Sequence, residues 1–206
     1  MACSISSGRT EPCKDSVGGL NAVYIINFED TNYAPTDDTV AGRVVQELTK
    51  VGTSSGAKVN AYKFELKGGS SFTQNVQASR ENGTLAFEQV LELQLKKLTK
   101  DSHKEIKALA FGRPHIIVED YNGKLFLAGR EHGMEVTGGT IVTGAAMSDL
   151  SGYTITFTGM ERKPAQFIDE GTDPTVASAL SDAFVNYDID AVTAGIQIDD
   201  DADLAP

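Results

Sequence analysis

Apolar and polar residues alternate through the stretch from Thr84 to Lys97, the most regular pattern in the sequence. The odd-numbered side is apolar and the even-numbered side mostly polar: Leu85, Phe87, Leu91, Leu93 and Leu95 against Ala86, Glu88, Val90, Glu92, Gln94 and Lys96. A two-residue period predicts a β-strand with one face on a core and the other in water. Residues 62–67 and 153–158 repeat the alternation. The pattern therefore predicts a mainly β protein with long antiparallel strands, folded as a β-sandwich or barrel.

Turn signals divide the chain around these strands. Further strands are predicted at 23–28, 61–66, 71–79, 115–121, 124–128, 136–143 and 152–159. Because glycine pairs and Asn-Gly are typical of tight turns, residues 61–97 are predicted to form a three-stranded meander. Three more stretches lie between the first two of these strands. Residues 27–38 are predicted to form a loop, 39–48 a strand or a short helix, and 52–56 a turn.

One α-helix is predicted within the β-rich part of the chain, from Lys100 to Phe111. Ser102 and Glu105 have the spacing of a capping box at its start. Gly112 and Pro114 are typical of a helix end. A narrow apolar stripe along this segment is expected to pack on the sheet.

The composition divides the chain into three parts: an irregular arm at 1–20, one β domain at 21–168 and an acidic segment at 169–206. The last segment has ten acidic residues and no Lys or Arg, whereas the remainder has 19 acidic and 18 basic residues. A short helix is predicted at 175–184, and the acidic run at 199–203 is interpreted as a solvated tail. Because nucleic-acid binding needs clustered Lys and Arg, we expect the chain to hold neither DNA nor RNA.

Membrane and disulfide signals do not appear in the sequence. It has no run of 18 or more apolar residues and no secretory leader, so we expect a protein made and used without entering a membrane. Cys3 and Cys13 are its only cysteines, too few for a disulfide framework or a four-cysteine zinc site. Free thiols in a reducing cytosol are expected. The alternative is a link that closes the N-terminal loop or joins neighbouring subunits.

Catalytic and metal-binding motifs are also missing from the sequence. His103, His115 and His132 show no helical metal-site spacing, and each is expected to be solvated or hydrogen-bonded in a structural role. Neither a Gly-x-Ser-x-Gly motif nor a phosphate-binding loop occurs. We therefore expect no catalytic residue, no metal ligand and no cofactor. An enzyme would require a pocket in which His115 or His132 meets a carboxylate.

Three segments carry a resemblance to a known family: LAFEQVLELQLKKLTKDSHKEIKALAFGRPHIIV, GMEVTGGTIVTGAAMSDLSGYTITFTGMERKPA and GRTEPCKDSVGGLNAVYIINF. The predicted order is meander, long amphipathic strand, capped helix, hairpin, glycine-broken strands and a Thr-alternating strand. This arrangement resembles the tail tube proteins of long-tailed bacteriophages, which share a fold with the tube protein of the type VI secretion system.

The resemblance implies a structural virion protein. In such proteins a β-sandwich or barrel with one helix forms a hexameric ring, whose inner strands join into one barrel around a channel. Stacked rings make a viral tail tube for DNA ejection. The implied partners are the chain itself, other tail proteins and DNA that passes without specific binding, with no cofactor and no membrane. The implied location is the virion tail, after assembly in the bacterial host cytoplasm.

The resemblance also assigns roles to residues. The ring-forming sheet is expected to contain 61–66, 71–79 and 84–97. The expected channel lining is hydrated and does not bind phosphates tightly. It is formed by Glu88, Val90, Glu92, Gln94 and Lys96. Contacts between rings are expected from the arm, the region 31–55 and the hairpin tip, and the candidate residues are Arg80, Glu81, Asn82, Cys3 and Cys13.

Two alternatives remain open. One is a related virion protein, such as a tail terminator, a neck ring or a capsid decoration protein. The other is a cytosolic carbohydrate- or ligand-binding β-sandwich. That second class predicts exposed aromatic residues gathered at one end of the sandwich, whereas this sequence has no Trp.

Overall fold

The computed structural model describes residues 9, 13–14, 16–28, 31–34, 44–45, 47–50 and 61–168. Its elements are β1 (Leu20–Ile26), β2 (Thr31–Ala34), β3 (Val44–Val45), β4 (Glu47–Lys50), β5 (Tyr62–Glu65), β6 (Ser71–Ser79), β7 (Thr84–Lys96), α1 (Lys100–Phe111), β8 (His115–Asp120), β9 (Leu125–Ala128), β10 (Glu135–Val142), β11 (Gly152–Glu161) and β12 (Gln166–Ile168). Within these residues, the prediction of a mainly β sandwich with one helix is confirmed.

A six-stranded sheet has the order β3-β12-β9-β8-β1-β5 and is antiparallel except where β12 meets β3. Its interior strands β1 and β8 are buried on both faces. Val23 and Val118 face the core shared with the second sheet. Tyr24 and Ile117, which pair on the opposite face, are also buried. Burial on both faces explains why these strands are continuous apolar runs instead of alternating ones.

A four-stranded antiparallel sheet has the order β10-β11-β7-β6. Its long strand β7 lies between β6 and β11, and its odd-numbered side enters the shared core. Leu91 and Leu93 are 0% and 1% exposed, and each buried leucine contributes about 1.5–3 kcal/mol to folding. The predicted dry side is thus confirmed at the middle of β7. Leu85 departs from it with 57% exposure, because the β6–β7 hairpin extends beyond the core.

The predicted three-stranded meander is wrong, because β5 belongs to the other sheet. It pairs with β1, with Phe64 opposite Val23, whereas only β6 and β7 share the four-stranded sheet. Gly68 and Gly69 both have positive φ, at 74° and 73°, and carry the chain from one sheet to the other. The same glycine pair suits a hairpin turn and a crossover, so the sequence pattern could not distinguish them.

Helix α1 has the predicted bounds but a different cap. Thr99 is the N-cap, and its Oγ1 accepts the Ser102 N–H at 3.1 Å. Ser102 therefore lies inside the first turn, where its hydroxyl pairs with that of Thr99 at 2.7 Å. The apolar stripe packs on the core through Ile106 and Leu109, which are only partly buried.

The segment after β1 contains more strand than predicted. Residues 31–34 were expected in a loop but form β2, which pairs antiparallel with β4.

The predicted turn at 52–56, the helix at 175–184 and the acidic segment at 169–206 lie outside the described residues, as does most of the arm. None of the helical residues that the structure describes forms a span suited to crossing a membrane.

Candidate functional site

The outer side of the four-stranded sheet is its most distinctive surface, and we name it the polar face. In antiparallel strands, residues directly opposite each other lie on the same side of the sheet. The register therefore places on one face Ser71, Thr73, Asn75 and Gln77 of β6, Glu88, Val90, Glu92, Gln94 and Lys96 of β7, and Thr154, Thr156 and Thr158 of β11. All five residues predicted to line a channel share this surface.

Hydrogen bonds hold two charged side chains of the polar face, those of Glu88 and Lys96. Glu88 Oε2 accepts from Asn75 Nδ2 at 3.3 Å and from Gln77 Nε2 at 3.2 Å. The Lys96 ammonium donates to the Lys67 carbonyl at 2.8 Å. Hydroxyl and amide groups make up most of the surface between these charges. The polar face is thus hydrated, and its carboxylates outnumber its one ammonium group.

Both outer strands of this sheet, β6 and β10, lack a partner on one side among the residues that the structure describes. Strand β6 has nine residues, SFTQNVQAS, with no charged residue and no proline. Natural sheets usually protect an exposed edge with charges, proline or a bulge. Strand β10 has a register shift between Val136 and Gly138, whereas β6 has none of these protections.

The β6–β7 hairpin extends past the core and ends in an exposed turn. Val76 and Leu85, on the core-facing side of the hairpin, are 63% and 57% exposed. The turn residues predicted to contact a neighbouring ring, Arg80, Glu81 and Asn82, are all exposed. Cys13 is exposed and free, and Cys3 lies outside the described residues.

A tightly held turn from Gly129 to Met134 connects β9 to β10, and we name it the crossover turn. Gly129 N–H donates to Oε1 of the buried Gln89 at 2.9 Å, and Met134 N–H donates to the Pro114 carbonyl at 2.8 Å. Gly129 has φ 66°, and a Cβ there would lie 2.8 Å from the Met134 nitrogen. Only glycine fits this position. The hydrogen bonds and this close packing together hold the turn in one conformation.

His115 is buried under the crossover turn. Its Nδ1 lies 2.5 Å from the Gly129 carbonyl and its Nε2 lies 3.2 Å from the Phe28 carbonyl. The imidazole also stacks on the Phe28 ring at 4.8 Å. Burial lowers the pKa of His115, although the two carbonyls partly oppose the shift. This agrees with the hydrogen-bonded role that was expected for it.

Glu161, at the end of β11, lies beside the exposed tip of the crossover turn. Its Oε1 accepts the N–H groups of Glu131 and His132, each at 2.9 Å. Its Oε2 lies 3.5 Å from His132 Nδ1. One ligand atom from each of the three side chains falls within 4.8 Å of the others. Sequence reasoning missed this group because no local spacing relates residues 29 positions apart.

A groove of about 710 Å³ lies between the C-terminal end of α1 and strands β1 and β5. Four aromatic residues line it: Phe28 after β1, Tyr62 and Phe64 of β5, and Phe111 at the end of α1. Phe111 is 85% exposed, and the Arg113 guanidinium lies 4.0 Å from the centre of the Phe28 ring. A ligand-binding sandwich would need a cluster of exposed aromatic residues. Among the residues that the structure describes, this groove resembles such a cluster most.

Comparisons of the chain with protein-family models, with curated proteins and with solved structures give no match.

Proposed function

We propose that this chain is the structural subunit of a tail tube of the bacteriophage type. Copies would pair their four-stranded sheets edge to edge into a ring, with the polar faces turned toward a central channel that conducts DNA. Rings would stack through the hairpin tips and the N-terminal arms. The chain would then be a virion protein without enzymatic activity, with other copies and other tail proteins as its partners.

The polar face is the observation that carries this proposal. Its hydroxyl and amide groups keep water at the surface. Its charged residues on β6, β7 and β11 are Glu88, Glu92 and Lys96, and β10 adds Glu135, which lies opposite Thr158. The Lys96 ammonium already donates to a backbone carbonyl. Phosphate contacts from Lys and Arg dominate the binding of nucleic acids. A surface of this composition lets DNA slide because it offers few sites that would hold a phosphate.

The open edges of the sheet support closure into a ring. Strand β6 offers a nine-residue edge without charge or proline, which is a template for pairing with a second chain. A head-to-tail contact between β6 of one copy and β10 of the next would satisfy both edges. Repetition of this contact closes a ring when the rotation from one copy to the next divides a full turn evenly. Pairing between copies thus accounts for an edge that would otherwise promote aggregation.

The dimensions of the sheet agree with a channel for duplex DNA. Six copies of a four-stranded sheet give 24 strands. At about 4.8 Å per strand the barrel is about 115 Å around and about 37 Å across its backbone, and strand tilt widens it further. Side chains on the inner wall narrow this opening, yet they leave room for a double helix.

The hairpin tip supports stacking. Val76 and Leu85 expose apolar surface next to the polar turn of Arg80, Glu81 and Asn82. Contact with the next ring would cover these two side chains. The two cysteines of the arm were predicted to lie at the same interface, and the exposed thiol of Cys13 is accessible for such a contact.

Negative-stain microscopy at increasing protein concentration tests the proposal. Wild-type protein should form rings with a central hole that stack into tubes. The variant Asn75→Lys with Gln77→Lys places two charges on the β6 edge while keeping donors for Glu88, so it should stay folded and fail to form rings. The control, Ala145→Lys with Ala146→Lys, adds the same charge in an exposed loop and should assemble normally.

A wild-type protein that remains monomeric at high concentration contradicts the proposal, and so does an edge variant that assembles as well as the wild type. Rings that never stack would favour a tail terminator or a neck ring over a tube.

The aromatic groove favours a second candidate function, a ligand-binding β-sandwich. Phe111 is the most accessible of its aromatic side chains, and stacking on such a ring is a common way to hold an apolar or sugar ligand. Calorimetry with a panel of soluble oligosaccharides tests it. Saturable binding that Phe111→Ala abolishes, in a protein that forms no rings, would favour this candidate over the tube.

A further inference from the structure

The Glu131, His132 and Glu161 side chains lie where the chain passes twice between the two sheets. Glu131 and His132 belong to the crossover turn, which leaves β9 of the six-stranded sheet for β10 of the four-stranded sheet. Glu161 ends β11, after which the chain returns to the six-stranded sheet at β12. Any group bound by all three residues would therefore join the two connections and, through them, the two sheets.

Glu161 is a buried carboxylate with one poorly satisfied oxygen. The residue is 3% exposed, and its Oε1 accepts two backbone N–H groups. Its Oε2 points at His132 Nδ1 across 3.5 Å, longer than the 2.7–3.2 Å of an ordinary N–H···O hydrogen bond. His132 is also the one ion-pair partner of Glu161 among the residues that the structure describes. A buried carboxylate normally requires a closer positive partner.

The distances suit a metal ion better than a direct hydrogen bond. Zinc binds imidazole nitrogen and carboxylate oxygen at about 2.0–2.2 Å with tetrahedral angles, which places two ligand atoms about 3.4 Å apart. Glu161 Oε2 and His132 Nδ1 already have nearly this separation. Glu131 is exposed, and its oxygen lies within 4.8 Å of the other two ligand atoms. A side-chain rotation that brings this oxygen about 1.4 Å closer to the other two ligand atoms completes a three-ligand set.

We propose that Glu131, His132 and Glu161 bind one divalent transition-metal ion of the zinc class, with water as the fourth ligand. One imidazole with two carboxylates favours zinc, cobalt or nickel over calcium or magnesium, which prefer oxygen ligands alone. Hydrogen bonds to Gln89, to the Pro114 carbonyl and to Glu161 itself already fix the crossover turn. Little ordering is needed when the ion binds. The site is independent of the proposed tube function and serves to join the two sheets.

Calorimetry on the full chain without a histidine tag tests the site, with zinc chloride as the probe. We expect one zinc ion per chain, and a cobalt complex with visible absorption of tetrahedral type. Zinc at about one hundred times its dissociation constant should raise the melting temperature by about 5–10 °C. The variants His132→Gln and Glu131→Gln replace exposed side chains, so they should fold normally and bind zinc at least tenfold more weakly.

The matched control is His103→Gln, which removes an exposed histidine on α1, remote in sequence from the three ligands. It should bind zinc as tightly as the wild type. Glu161→Gln keeps an oxygen for the two backbone donors and should also lose zinc affinity. Equal zinc binding by His132→Gln and the wild type would overturn the site. Equal weakening by His103→Gln, or calcium binding with the same affinity and stoichiometry, would overturn it as well.

Discussion

The two sheets of the sandwich differ in their outer faces. On the six-stranded sheet, Tyr24, Ile117 and Leu127 face away from the shared core yet are at most 2% exposed. On the four-stranded sheet, the corresponding side carries threonines, amides and the exposed Glu92. One sheet is thus an inner layer with continuous apolar strands, and the other is a boundary between the core and water. The boundary sheet is the one suited to meet something outside the subunit.

The largest expected effect comes from placing a charge on the dry side of the boundary sheet. Leu91 is 0% exposed in the shared core. Leu91→Asp buries an unpaired carboxylate there, so we expect the loss of about 4 kcal/mol or more of folding free energy and no cooperative unfolding transition. Circular dichroism during thermal melting measures this. A variant that melts like the wild type would show that this side of β7 does not face the core.

A matched pair of truncations compares the two outer faces directly. Ile117→Ala removes a fully buried side chain from the outer face of the six-stranded sheet and should cost about 2–5 kcal/mol. Thr156→Ala changes the polar face and should alter the free energy of unfolding by about 0.5 kcal/mol or less. Urea denaturation of both variants measures the difference. Equal losses would mean that the outer faces are equally buried.

The buried imidazole under the crossover turn predicts sensitivity to acid. Burial lowers the pKa of His115 in the folded protein, so the unfolded chain binds a proton there more readily. This contribution to stability is therefore intact above about pH 6.5, the ordinary value for histidine, and is lost as the pH falls below it. The urea midpoint should drop between pH 7.5 and 5.5, and His115→Phe should reduce that drop. An equal drop in both proteins would exclude His115 as the cause.

The smallest expected effect on stability comes from the residue next to Leu91. Glu92 is exposed on the polar face, and Glu92→Arg should change the free energy of unfolding by about 0.5 kcal/mol or less. In assembled rings the added guanidinium groups should retain DNA at low salt and release it at high salt, which fluorescence anisotropy measures. If Glu92→Arg destabilised the chain more than Leu91→Asp, the assignment of dry and wet sides would be reversed.

Much of the fold was predictable because its strongest signals are local. Alternation identified β5, β7 and β11 close to their observed bounds, and stop signals located α1 correctly. The partner of β5 was not predictable, because a glycine pair allows either a hairpin or a crossing between sheets. The cap of α1 was misplaced for a similar reason: Thr99 and Ser102 both have hydroxyls near the helix start, and only the backbone geometry selects Thr99.

The candidate sites were predictable to different extents. Alternation alone places the even-numbered residues of β7 on one face, whereas their exposure to a channel depends on other copies of the chain. The group at Glu131, His132 and Glu161 depends on contacts between residues 29 positions apart. No spacing rule identifies such a group before the fold is known, so the sequence led us to expect no metal ligand.

The uncharged edge of β6 has a consequence for how the protein behaves during synthesis. Newly made subunits would present a strand that any similar strand can extend, so their solubility depends on how quickly a closed arrangement is reached. Closure consumes both edges of the four-stranded sheet, whereas a contact that fails to close leaves one growing end and leads to fibres or precipitate. Overexpression should therefore yield either ordered assemblies or insoluble material, with few free subunits between these extremes.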